Sequence, residues 1–281
     1  MDNRYLFVDG GSLRETIALF ESDLYGGVKV DVDYRRVGHG YRKIFYYDCL
    51  PALASTEGKS AAEKQVLEDA HQKRHDEQER LFAHLQTLDG WHVVEGYSKP
   101  RRRRQMEQKE VDVLIAVDML SHTHRKNMDA IGFITGDQDF RPLVEAVVRE
   151  GMFITLLFEP RHTGLQLINA ADAREPITPI LFNEWLTREF QGAHGLPSYG
   201  GLGRPEDVGG TEIESWKSGE VDVRLFLNGA TYYIVRAVPS LMSRNYQSPL
   251  FQLHHTDPGL LRRVHDVWFK PDDLRAANQT D

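Results

Sequence analysis

Residues 130–143, AIGFITGDQDFRPL, place two carboxylates, Asp137 and Asp139, between two patterns. A β-prone apolar run (Ile131, Phe133, Ile134) precedes them, and a helical pattern (Phe140, Leu143, Val144, Val147, Val148) follows. One Asp at a helix start is explained by capping and by the helix dipole. A second in the same turn is surplus to capping, and the carboxyl edge of an α/β sheet is where such folds hold their sites. Residues 4–12, RYLFVDGGS, repeat the arrangement, with an apolar run that stops at Asp9. There Gly10 and Gly11 allow a sharp turn close to whatever Asp9 faces, and Ser12 can cap the helix implied by Leu13, Ile17 and Phe20.

A third acidic stretch is KEVDVLIAVDML, residues 109–120. From Val111 to Leu120 everything but Asp112 and Asp118 is apolar, which predicts a buried helix. At about 100° per residue the two acids stand roughly 120° apart and do not serve one point equally. Asp112, near the helix start, is the site candidate, and Lys109 three residues earlier can pair with it. Asp118 is expected to accept hydrogen bonds from a neighbouring backbone or helix start. Several carboxylates brought together repel, and a divalent cation is the ordinary remedy. An all-oxygen donor set favours Mg or Mn over zinc. Such an ion offsets charge on a phosphate and orients water, so the chemistry indicated is phosphodiester hydrolysis.

The elements that must position these acids are strands near residues 5, 45, 93, 132 and 155, with helices between them. That alternation predicts an α/β fold with a mainly parallel, doubly wound sheet, which would bring Asp9, Asp112, Asp137 and Asp139 to one edge. Residues 61–88 read as a long helix, and residues 165–170 and 179–190 as closing helices. On the long helix His71 and His75 are four apart without an evident third ligand, and they read as solvated surface residues. Between the strand at 91–95 and the helix of Asp112 lies the densest positive charge, Arg101, Arg102, Arg103 and Arg104, which can reach phosphates at that edge.

Residues 191–210, Gly-rich with Pro197 and Pro205, read as a linker between a domain at 1–190 and a small α+β module at 211–281. In that module VDVRLFL, an Asn228-Gly229 turn and ATYYIVRAV predict a hairpin, followed by a helix over 260–268. Nothing in its residues indicates a definite chemistry.

With 281 residues and 41% hydrophobic content the chain can bury a proper core. One cysteine, Cys49, excludes an internal disulfide framework and a Cys-based zinc module and fits a reducing compartment. No secretory leader or membrane span is evident, so a cytoplasmic location with no membrane partner is expected. A net charge of -8 excludes coating nucleic acid through bulk charge, so any contact must come from a local patch.

FVDGGSL, KEVDVLIAVDML and ITGDQDFRPLVEAVVREG, in this order and spacing, resemble the NYN domains of the LabA-like group, relatives of the PIN-domain nucleases. The resemblance covers about residues 4 to 170. It implies a PIN-like three-layer α/β/α fold and a metal-dependent ribonuclease leaving 5'-phosphate and 3'-hydroxyl ends. Metal-ligand or water-orienting roles would fall to Asp9, Asp112, Asp137 and Asp139. With RNA as partner, Ser12, Lys109 and Arg101 to Arg104 are the expected substrate contacts. The family commonly has Asn where this chain has Ser12, and Asp118 also matches a family position. A catalytically weak or inactive RNA-binding module on the same fold is the competing expectation, and a phosphatase or phospho-acceptor using Asp9 as nucleophile is a weaker third. Against the third, Gly11 stands where a dehalogenase-type phosphatase needs a second Asp. A homodimer, and an unknown partner for the C-terminal module, are further expectations.

Overall fold

A computed structural model describes residues 3–51, 58–96, 109–238 and 248–277, with backbone alone for Lys109 and residues 270–277. These divide into two compact units. The first holds the chain up to Thr16 together with Tyr34–Pro176, and the second holds Ile17–Asp33 and Ile177–Asp281.

In chain order the first unit contains β1 (Arg4–Asp9), the start of α1 (Gly10–Tyr25), α2 (Tyr34–Val37), β2 (Lys43–Cys49), α3 (Ala61–Gln86) and β3 (Trp91–Gly96). It continues with α4 (Lys109–His124), β4 (Ala130–Ile134), α5 (Arg141–Arg149), β5 (Phe153–Phe158), α6 (Leu165–Ala170) and β6 (Ala173–Pro176). Its six strands run in the order β3-β2-β1-β4-β5-β6, and every pairing is parallel. The expected α/β sheet is therefore wholly parallel, with β6 as an edge strand that its four residues, AREP, do not announce by hydrophobicity. The order reverses direction between β1 and β4, and the crevice beyond the carboxyl ends of such a pair is the place where open α/β sheets bind ligands.

Strand alternation assigns each face. Tyr5, Phe7, Tyr47, Ile131, Phe133, Ile154 and Leu156 form one buried cluster with Val111, Ile115 and Met119 of α4 and Leu143, Val144 and Val147 of α5. The intervening residues point the other way, where Tyr46 meets Phe82 of α3. Helix α3 begins with a full capping box in which Ser60 and Glu63 satisfy each other's backbone.

α4 departs from the buried helix expected of its composition. Val111, Ile115 and Met119 are buried, whereas Val113 and Val117 are 59% and 55% exposed. A helix lying on one face of a sheet presents one stripe to it, whatever its other stripe is made of.

The second unit contains α7 (Pro179–Glu184), α8 (Arg188–Ala193), β7 (Ser198–Leu202), β8 (Thr211–Ser218), β9 (Val221–Asn228), β10 (Thr231–Ala237), β11 (Leu250–His255) and α9 (Pro258–Ala277). Its strands form an antiparallel sheet in the order β7-β11-β10-β9-β8, on which α9 packs. The second half of α1 belongs here, with Phe20 stacked on Phe182 at 4.4 Å between ring centres. Residues 191–210, read from composition as a linker, contain the end of α8 and all of β7. The expected hairpin is β9–β10, and its two-residue loop is Gly229-Ala230, because Asn228 still pairs with Thr231. The single closing helix anticipated at 179–190 is two, broken where Leu186 bridges Val32. Among the described residues no helix is long and apolar enough to cross a membrane.

Candidate functional site

Asp9 closes β1 on the same face as Tyr5 and Phe7, the face that α4 covers. Val8 pairs with Ile134, so Thr135, the first residue after β4, lies beside Asp9. The Thr135 hydroxyl donates to Asp9 Oδ2 at 2.9 Å, and Ser12 donates to the same oxygen at 2.6 Å through its hydroxyl. The Ser12 amide donates to Asp9 Oδ1 at 3.2 Å. Ser12 Oγ in turn accepts from the Gly136 amide at 3.2 Å, tying the start of α1 to the β4 turn. Ser12 is thus a clamp between Asp9 and the acidic turn. The glycine next to Asp9 has a different duty from the one anticipated. A Cβ on Gly10 would lie 2.6 Å from Asp48 Oδ2 and 2.8 Å from the Tyr46 ring, so it lets the turn pass over β2.

After β4, Asp137 has both roles considered for it. Its Oδ1 accepts from the Asp139 amide at 2.9 Å, capping the short 3-10 turn Gln138–Phe140, and its amide donates to Thr135 Oγ1 at 3.1 Å. One carboxylate oxygen, Oδ1, does the capping. Asp139 has no capping bond and is exposed. Asp112 stands half-buried in the first turn of α4. Burial and then the charges of Asp9, Asp137 and Asp139 push its carboxyl up to about 6. Among the described residues, the charges that raise it are all carboxylates. Asp112 is thus near enough to the other three candidates to feel their charge, although no three of the four bring carboxylate oxygens within 4.8 Å of one another.

The group that does meet that distance among the described residues is His75, Asp76 and Glu79 on α3. Glu79 is the neighbour of His75 that the four-residue helical spacing supplies, with His75 Nδ1 3.8 Å from Glu79 Oε2. His71 and His75 are half-buried, and Asp76 and Glu79 supply the further ligand atoms that the reading of the histidines as solvated surface residues lacked. Asp118 leaves the site. It accepts a hydrogen bond from the Tyr47 hydroxyl at 3.0 Å, a side-chain donor in place of the backbone donor anticipated. Burial, with Asp118 adding to it, pushes the Tyr47 hydroxyl up. The side chain of Lys109 and all of Arg101, Arg102, Arg103 and Arg104 lie outside the described residues.

Two further strand-end acids went unread in the sequence. Asp48 is the last residue but one of β2, one residue out of phase with Tyr47, which pairs with Asp9, so it points to the α3 side. It is fully buried and meets the Arg14 guanidinium, Gln78 Nε2 at 2.7 Å and the Tyr46 hydroxyl at 3.1 Å. Glu159, just past β5, accepts from the amides of Arg161 (2.9 Å) and His162 (3.1 Å) and from Arg161 Nε at 2.5 Å. Its signal was available, a carboxylate directly after an apolar strand. Each of these two has a basic partner among the described residues, Arg14 for Asp48 and Arg161 for Glu159, and only coordinates reveal that.

A family model of the NYN domain matches residues 27–178, more than half of the chain. The matched interval includes Asp112, Asp137 and Asp139 and begins after Asp9 and Ser12. A crystal structure of a protein of unknown function from Vibrio parahaemolyticus is 21% identical, with 66% of this chain and 96% of that one covered and a TM-score of 0.43. No curated protein matches the chain.

Proposed function

Because the chain belongs to the NYN domain family, within the PIN-like nuclease superfamily, we propose that it is a metal-dependent ribonuclease whose site is Asp9, Asp112, Asp137 and Asp139. The observation that carries this reading is the state of Asp112, whose carboxyl is raised to about 6 by burial and three other acids. Perturbation of this kind, at the switch point of an open sheet, is characteristic of functional carboxylates. Unpaired structural acids do not gather there without reason.

The donor set fits Mg or Mn, being all carboxylate oxygen. When bound, such an ion supplies charge compensation for the phosphate and lowers the pKa of water. The protein's own contributions follow from the geometry. Ser12 and Thr135 fix the rotamer of Asp9, so its carboxylate is oriented before any ligand arrives. Asp137 is held through Oδ1 by its cap. Asp112, whose carboxyl is raised by the other three acids, would share with them in holding the ion and be relieved of that repulsion by it.

The test is cleavage of total RNA with Mn, with mapped product ends. Chelation, or Asp137→Asn, is expected to abolish it; activity surviving both sinks the assignment. One observation favours a second reading, an RNA-binding module on the same fold: both oxygens of Asp9 already accept hydrogen bonds from the protein. In that case RNA is bound and never cut, and Asp9→Asn and Asp112→Asn bind as the unaltered chain does.

A further inference from the structure

The turn that carries Asp139 also forms one wall of an open groove of about 750 Å³, within the range of ligand sites. Gln138, Asp139, Arg141 and Pro142 line this wall, and Leu165 and Gln166 line the other. The second wall is a built feature. Glu159, 5% exposed, gathers the amides of Arg161 and His162, the Arg161 guanidinium and His162 Nδ1 (2.9 Å). Its backbone carbonyl accepts from the Thr163 hydroxyl at 2.8 Å. Thr163 then lies against Gly136, where a Cβ would be 3.1 Å from its Oγ1. A Cβ on Gly164 would run into the Gln138 carboxamide, so the two walls meet at the groove's base only because residue 164 has no side chain.

We propose that this groove binds the nucleotide next to the scissile phosphate of a single-stranded RNA. The proposal rests on the nuclease reading for its neighbour, the acid locus, and on the groove itself for its chemistry. Asp139 belongs to both, so a strand whose phosphate lies at the acids continues directly into the groove. Arg141 is the one cation among the groove's described lining residues and supplies the charge that a second phosphate requires. Its side chain is 45% exposed, and its ion pair with Glu145 is a long 3.4 Å, so the guanidinium is available. Pro142 and Leu165, the latter 39% exposed, offer an apolar surface to the face of an unstacked base. The carboxamides of Gln138 and Gln166 carry both donors and acceptors, which suits the edge of a base. Glu159 is a positioning residue that sets the second wall.

The measurement is fluorescence anisotropy of a labelled single-stranded RNA with the full chain carrying Asp9→Asn, in magnesium, so that binding is read without cleavage. Arg141→Ala is expected to weaken binding about tenfold, the loss of one charge-assisted phosphate contact. Leu165→Ala is expected to weaken it about threefold to tenfold by removing base contact. Gln166→Ala is expected to narrow the difference between poly(A), poly(U) and poly(C). Unchanged dissociation constants for Arg141→Ala and Leu165→Ala, both folded by their melting temperatures, overturn the groove. If Arg141→Ala does not fold, the exposed Leu165 and Gln166 carry the same test. Groove-dependent binding, with no cleavage of RNA by the unaltered chain in Mn, overturns the nuclease reading alone. Cleavage by the unaltered chain with binding indifferent to the groove overturns the groove alone, and a chain that binds no RNA overturns both.

Discussion

Asp112 costs the fold stability wherever it is ionised, and the sign can be worked out. Its carboxyl keeps a proton to about pH 6 in the folded chain, against 3.8 in the unfolded one. Between those values the unfolded state has lost the proton and the folded state has not, so stability falls as pH rises through this window and then levels. Asp112→Asn removes both that fall and the repulsion from Asp9, Asp137 and Asp139. We expect it to raise the melting temperature at pH 7.5 in chelator by about 2–4 °C, the shift of roughly 1 kcal/mol in a protein of this size, while RNA cleavage is lost. Scanning calorimetry at pH 4, 5, 6 and 7 measures the first. A variant no more stable than its parent at pH 7.5 contradicts the crowding of charge. Asp48 provides the contrast. Removing Arg14 leaves a buried carboxylate without its cation, so Arg14→Ala is expected to cost about 3 kcal/mol in urea unfolding.

At the level of elements, α4 is the sharpest instance of what sequence could and could not settle. Its apolar run marks the helix correctly, but periodicity alone cannot say that one apolar stripe meets the sheet and the other meets solvent. Ile115→Ala is expected to cost about 2–5 kcal/mol, as in other large-to-small core changes. Val113→Lys and Val117→Lys are expected to stay within about 0.5 kcal/mol. Chemical denaturation of the three variants reads this directly, and equal losses at 115 and 117 would return α4 to the interior. The five long parallel strands were legible because each is apolar and bounded by turn residues. β6 was not, because an edge strand of sequence AREP carries no pattern of its own. Among the proposed site residues, Asp9, Asp112, Asp137 and Asp139 announced themselves as acids at element boundaries. Thr135 did not, since a threonine after a strand is unremarked until register places it against Asp9. Asp48 and Glu159 gave the same signal as Asp9, and strand phase and basic partners give them structural duties instead.

For the whole chain, the division into units does not follow the order of residues. The segment Ile17–Asp33 is part of the second unit although the first unit lies on both sides of it in sequence. Phe20 stacks on Phe182, Tyr25 meets Phe190 edge-on at 5.1 Å, and the Asp33 amide donates to the Trp185 carbonyl at 2.8 Å. A chain ending at residue 176 lacks all these partners, and we expect it to be recovered mostly as aggregate. One ending at residue 194 keeps α7 and α8 and is expected to give more soluble protein. Soluble yield and size-exclusion profiles of the two truncations compare them, and equal yields would show that Phe20 and Tyr25 need no cover.

That interleaving has a consequence for synthesis. The N-terminal residues leave the ribosome first, but Phe20 and Tyr25 meet Phe182 and Phe190 only after some 160 more residues have been made, roughly ten to thirty seconds at ordinary elongation rates. Throughout that interval α1 carries aromatic side chains with no surface to cover them, on the same helix whose first turn holds Ser12 against Asp9. Aromatic surface left uncovered for that long exposes the nascent chain to aggregation until α7 and α8 have been made.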